Sequence, residues 1–191
     1  MALLRFSGEE RREVVRRSGG IAAVVLVAAL CSLALPVTTG AAVRESGFVE
    51  RATASWGATA SCYDAPDWAQ LVASGHPEFR GHETDVYGLW RYDIRQVALP
   101  ARGCIALERW RRTAAATLSL WIFVLGHELT HVEQSDWYDA PSARAFDEHE
   151  ANCDGLAKFQ RVRILLGIHR RLSPPSRDLV GCPVRRARSR R

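Results

Sequence analysis

The chain has 191 residues, room for one domain with a sizeable core, and its 47% hydrophobic and 25% charged content is ordinary for a globular protein. Its net charge of +5 belongs to the ends: residues 1–20 carry +2, the last seven residues carry +5, and the body between them is −2. A body without a basic excess gives no support to a nucleic-acid-binding domain, and no nucleic-acid partner is expected. Arg outnumbers Lys 25 to 1, a bias that fits a GC-rich genome better than a physical requirement.

Residues 1–20 are polar and carry Arg11, Arg12, Arg16 and Arg17, which favour a cytoplasmic N-terminus. Ile21 to Val37 is an almost unbroken apolar run, just long enough to cross a bilayer as a helix. Gly40, Ala41 and Ala42 then resemble a signal-peptidase site, so the segment is either a cleaved signal or an uncleaved membrane anchor. Either option delivers the body outside the cytoplasm. Residues 38–61 read as a linker or a loosely amphipathic helix.

The body is expected over residues 62–172. From Cys62 to Gly81 it is polar and turn-rich, with a short helix near Pro66–Ala73. Val86–Tyr92 and Ile94–Leu99 read as short strands with Asp93 near the turn. Residues 104–112 have helical spacing. Residues 114–125 (AAATLSLWIFVL) are apolar on all sides, which means a helix that is buried or spans a membrane. Twelve residues are too few to span, so a central core helix is expected. Residues 132–141 read as a loop, Ser142 as an N-cap, and 143–171 as one long helix. Residues 173–191 form a basic tail.

Five Cys are present, of which Cys31 lies in the apolar run. The other four permit three pairings. Outside the cytoplasm disulfides are the default, and Cys62–Cys104 with Cys153–Cys182 would each tie a flanking segment to the centre. No C-x-x-C pair supports a Cys-based zinc site.

The central helix leads into Gly126-His127-Glu128-Leu129-Thr130-His131. Residues four apart share a helical face, so His127 and His131 can point at one metal ion. Glu128 can reach a water held there without being a ligand, the H-E-x-x-H arrangement of zinc hydrolases. A catalytic zinc takes three protein ligands, and Glu150 is the leading third. Glu128 is the expected general base. Asp154, one turn after Glu150, is placed to accept the free N–H of an imidazole and fix its orientation. Asp147 and Glu148 are weaker third ligands, because neither is followed by an acidic residue four positions later. A chance H-E-x-x-H arises in a chain of this composition roughly once in a hundred.

The two-part pattern resembles the gluzincin metallopeptidases, in which H-E-x-x-H is completed by a Glu in a Glu-x-x-x-Asp on the next helix. The continuation His131-Val132-Glu133-Gln134 is similar to small bacterial neutral zinc metallopeptidases, and the likeness covers about residues 84–160. The resemblance implies an α+β, minimal zincin-like domain: a short sheet or hairpin packed on the active-site helix, then a second ligand-bearing helix. It also implies that the strand Ile94–Leu99 is the edge along which an extended peptide binds. Two departures stand out. His149 replaces the Asn that precedes the ligand Glu in thermolysin-type enzymes, and their downstream oxyanion-stabilising His has no counterpart. Tyr138 and His149 are the candidates for that role.

The expectation is a secreted or membrane-anchored zinc metallopeptidase acting on a peptide or protein substrate. A catalytically inactive zinc-binding module that recognises peptides or cell-envelope material is the alternative. Intramembrane proteases share the motif but need several spans and a second Asp-bearing motif, which this chain lacks.

Overall fold

The computed structural model describes residues 2–5, 43–44, 47–137 and 147–182. The expected segment 21–37, the site-like Gly40–Ala42, Tyr138, Ser142 and the Arg tail lie outside the described residues. In chain order the elements are β1 (Ala2–Arg5), β2 (Val43–Arg44), α1 (Gly47–Ala54), β3 (Thr59–Tyr63), α2 (Ala65–Gly75), β4 (Val86–Arg91), β5 (Gln96–Pro100), α3 (Ala101–Glu108), α4 (Ala115–Trp137) and α5 (Glu148–Leu165). The class is α+β, as expected. Among the described residues no helix is long and apolar enough to cross a membrane.

The sheet is built on β4, β5 and β3, with β1 and β2 at its two edges. β5 is antiparallel to β4 through Leu89↔Ala98 and parallel to β3 through Ala60↔Val97. Both sides of β5 are therefore hydrogen-bonded. This corrects the expectation that Ile94–Leu99 is a free edge, because a strand paired on both sides has no row of donors and acceptors left for a peptide. Residues 2–5, assigned by sequence to a cytoplasmic N-terminus, pair antiparallel with β4.

Side chains alternate across this sheet as the pleat requires. Val97, Leu99, Trp90, Ala60 and Cys62 face one way, into a core completed by Leu118, Ile122, Phe123 and Leu125 of α4 and by Phe159 and Val162 of α5. Ala98, Leu89 and Tyr63 face the other way, against Trp68 and Val72 of α2. α4 thus lies under the sheet with α5 beyond it. Its 23 residues run about 35 Å. Leu118, Trp121–Leu125, Leu129 and Val132 are all buried, which is why the run looks apolar all round.

Disulfides join Cys62 to Cys104 and Cys153 to Cys182. The first ties β3 to α3 and the second ties α5 to the segment that follows it. By closing loops of 42 and 29 residues, each contributes on the order of 3–4 kcal/mol through the entropy of the unfolded chain. Two such bonds fit an oxidising environment.

The bounds of α4 and α5 differ most from the sequence reading, and α5 ends at Leu165 instead of 171. α4 continues to Trp137 instead of ending in a loop at 132, because Glu133 and Gln134 have tertiary partners that hold the extra turns: Glu133 accepts from Trp56 Nε1 at 2.7 Å and Gln134 bonds across to α5. α5 begins at Glu148, not 143. Asp147 is its N-cap, the side chain accepting from the Glu150 amide at 2.9 Å.

Candidate metal centre

The spacing of four residues on α4 brings the His127 and His131 rings together, with centroids 4.6 Å apart and planes at 83°. Their Nε2 atoms lie 3.0 Å from one another. Both residues are fully buried. The third group is Glu148, the first residue of α5. One of its oxygens is 3.2 Å from His127 Nε2 and the other is 3.5 Å from His131 Nε2.

Glu150, the expected third ligand, is not part of this group. Its carboxylate accepts a hydrogen bond from Gln134 Nε2 at 3.0 Å. Asp154 does not reach an imidazole either; its oxygen lies 4.0 Å from Lys158 Nζ on the same helix. The whole pattern is shifted by two residues. Glu148 takes the place foreseen for Glu150, and Asn152 takes the place foreseen for Asp154. With Asp147 as N-cap, residues 148 and 152 lie on the α5 face turned to α4, and 150 and 154 are rotated away from the two Nε2 atoms. Asn152 Oδ1 sits 2.9 Å from His127 Nδ1. A neutral amide serves as well as a carboxylate here, since the ring N–H needs an acceptor and not a charge.

The state of His131 follows from its neighbours. Gln134 Nε2 donates to the Asp147 carbonyl at 3.1 Å and to Glu150, which turns Gln134 Oε1 toward His131 Nδ1 at 2.7 Å. Facing an acceptor, Nδ1 is the nitrogen that donates, which leaves Nε2 as the one that can face a metal ion. Asn152 does the same for His127. Both Nε2 atoms and the Glu148 carboxylate then converge on one point.

That convergence calls for a cation. Donor atoms of the three residues lie within 4.8 Å of one another, so the group could hold a metal ion. Two nitrogen ligands about 2.0–2.1 Å from a tetrahedral ion are roughly 3.3–3.4 Å apart, close to the separations seen here. Two imidazoles and a carboxylate suit zinc and its first-row neighbours.

The electrostatics point the same way. Burial lowers the His127 pKa, disfavouring an imidazolium. Burial alone would raise Glu148, but hydrogen bonding and charge from His127 and His131 overrule it and hold the carboxyl at about 2. Glu148 is therefore held as a carboxylate beside the two rings.

Glu128 is turned the other way, toward β4. It is fully buried, and neither carboxyl oxygen has a hydrogen-bond partner. Burial raises its pKa well above the ordinary value, and the negative charge of Glu148 adds to the effect. Gly88 of β4 makes the room: a Cβ there would lie 2.5 Å from Glu128 Oε1. His149, a candidate for oxyanion stabilisation, instead pairs its Nδ1 with the Gly181 carbonyl at 3.0 Å and has Nε2 4.0 Å from Cys153 Sγ. It is engaged with the C-terminal segment.

Comparison with known proteins finds no matching family, no matching curated sequence and no matching solved structure.

Proposed function

We propose that the protein is a zinc-dependent hydrolase of peptide bonds that acts outside the cytoplasm, with His127, His131 and Glu148 as metal ligands and Glu128 as general base. The observation that carries the reading is the contrast at one site. Two imidazoles, each oriented from behind, converge with a carboxylate, and next in sequence to His127 is a buried carboxyl whose oxygens have no partner. A fold does not gain from such a carboxyl; an unpaired buried polar group costs it stability.

A bound zinc ion would supply Lewis acidity toward a carbonyl oxygen and lower the pKa of water toward neutrality. The remaining work falls to the chain. Asn152 and Gln134 hold the two rings in the tautomer that leaves Nε2 free. Glu148 brings one negative charge to offset part of the ion's charge. Glu128 takes a proton from the attacking water and returns it to the leaving amine. The two disulfides fit an oxidising compartment.

The test is to measure zinc per chain and peptide hydrolysis in the purified protein and in Glu128→Gln. One zinc per chain in both, with hydrolysis reduced about 10²–10⁴-fold in the variant, is expected. Zinc binding without hydrolysis in either protein would favour a zinc-binding recognition module, and absence of zinc binding would overturn the metal centre.

A further inference from the structure

We propose that Gly155 is a positioning residue for the metal centre: it lets the α5 backbone touch the α4 backbone at His127, and so sets the distance at which Glu148 and Asn152 meet the two imidazoles. The inference rests on the reading that His127, His131 and Glu148 hold a metal ion.

On α5, Glu148, Asn152 and Gly155 follow at spacings of four and three and share the face turned to α4. A Cβ at Gly155 would lie 2.9 Å from the His127 amide nitrogen, 3.0 Å from its Cα and 3.3 Å from its Cβ. Two of these are backbone atoms in a buried helix, which cannot swing aside as a long side chain would. The contact is reciprocal. A Cβ at Gly126 would lie 2.9 Å from the Gly155 carbonyl oxygen. Glycine is a poor helix former, and here it stands inside two helices at their mutual point of contact. The gain is closeness.

The crossing is clamped on both sides of that point. Toward the start of α5, Asn152 and Glu148 engage the two rings. Toward its end, Lys158 Nζ donates to Thr130 Oγ1 at 3.0 Å and pairs with Glu133 at 2.9 Å, while the Thr130 hydroxyl donates to the Gly126 carbonyl at 3.1 Å. A methyl group at 155 acts as a wedge between these clamps. Ordinary carbon contacts need about 3.5 Å or more, so α5 must retreat by roughly half an ångström. That is the tolerance within which a metal site keeps its geometry. Glu148 lies seven residues, two turns, from the wedge and rides on the same rigid helix.

The experiment compares the full-length chain with Gly155→Ala, measuring zinc affinity by competition with a chromophoric chelator and thermal stability of the zinc-free protein. Gly103→Ala is the control. A Cβ at Gly103 meets the Trp121 ring at 2.6 Å, a crowding of similar severity that touches neither Glu148 nor Asn152. Gly155→Ala should bind zinc about 10–100-fold more weakly than the parent, the range found when groups that orient metal ligands are disturbed. Gly103→Ala should melt lower and bind zinc as the parent does. Cobalt(II) in place of zinc adds a spectroscopic reading, with its visible absorption bands shifted in Gly155→Ala alone. Equal zinc affinity in Gly155→Ala and the parent overturns the proposal, and so does an equal loss in Gly103→Ala. A parent chain that binds no zinc overturns the functional reading itself. Should Gly155→Ala not fold, Gly126→Ala intrudes on the same contact from the other helix and carries the same expectation.

Discussion

Toward α5, helix α4 presents two imidazoles whose four ring nitrogens all face a neighbour: Asn152, Gln134, Glu148 or each other. Toward β4 it presents Glu128, with no hydrogen-bond partner on either oxygen. The two sides are one residue apart in sequence and equally buried. They differ in that the α5 side is a set of groups held in place, whereas the β4 side is one group held free. Satisfied polar networks fix geometry, while an unsatisfied buried group is tolerated only where something other than stability is being served. That is why Glu128 is read as the reactive group and the histidines as the frame.

The comparison breaks most visibly on the α5 side. Glu148→Gln removes the carboxylate charge from the three donors, and zinc content should fall to near zero by elemental analysis of the purified variant. Retention of stoichiometric zinc would mean that another residue completes the site. Next comes the β4 side. Gly88→Ala pushes a methyl group into the Glu128 carboxyl, and displacing a reacting group by about 1 Å can cost a hundredfold in rate. Hydrolysis should fall by about that factor at unchanged zinc affinity, the reverse of the outcome for Gly155→Ala.

A smaller effect sharpens the contrast in stability. Glu128→Met replaces an unpaired carboxyl by an apolar side chain of similar length, and the zinc-free protein should gain about 1–3 kcal/mol in a denaturant titration. A loss of stability there would mean that Glu128 has a structural partner after all. The smallest change is expected for Glu150→Gln. An amide oxygen can still accept from Gln134, so zinc affinity should stay within about threefold of the parent, since a retained hydrogen bond forfeits little of its ~1 kcal/mol. Loss of zinc in this variant, with retention in Glu148→Gln, would restore Glu150 as the ligand.

How far the sequence discloses this arrangement depends on how local each cause is. The H-E-x-x-H helix is legible because its determinants lie within one turn and follow a run that only a core helix explains. β4 and β5 are legible from their β-branched and aromatic content. β3 is not. Thr59-Ala-Ser61 reads as the end of a linker and Cys62-Tyr63 as the start of a turn-rich stretch, and the strand's place beside β5 is set by a parallel pairing with a partner some 37 positions away. The third donor shows a different limit. Ser142 and Asp147 are equally good caps by residue type, so the register of α5 is open by sequence. The demand for an acidic residue four places on then favoured Glu150. A ring nitrogen needs an acceptor, and an acidic residue is only one way to provide it. Gln134, one turn after His131, and Asn152 both meet the need for an acceptor behind a ring nitrogen, and neither looks acidic in a sequence.

The uneven burial of the three donors bears on how fast the site can exchange its contents. Both imidazoles are sealed from solvent, whereas the Glu148 side chain remains 44% exposed. On the proposed reading, an arriving ion would meet Glu148 first and a departing one would leave it last. Of the three side chains only that of Glu148 reaches solvent, so loading and stripping of a bound ion would pass over it. The lifetime of the filled site then becomes a property of the first turn of α5, adjustable there without altering the two rings that set its depth.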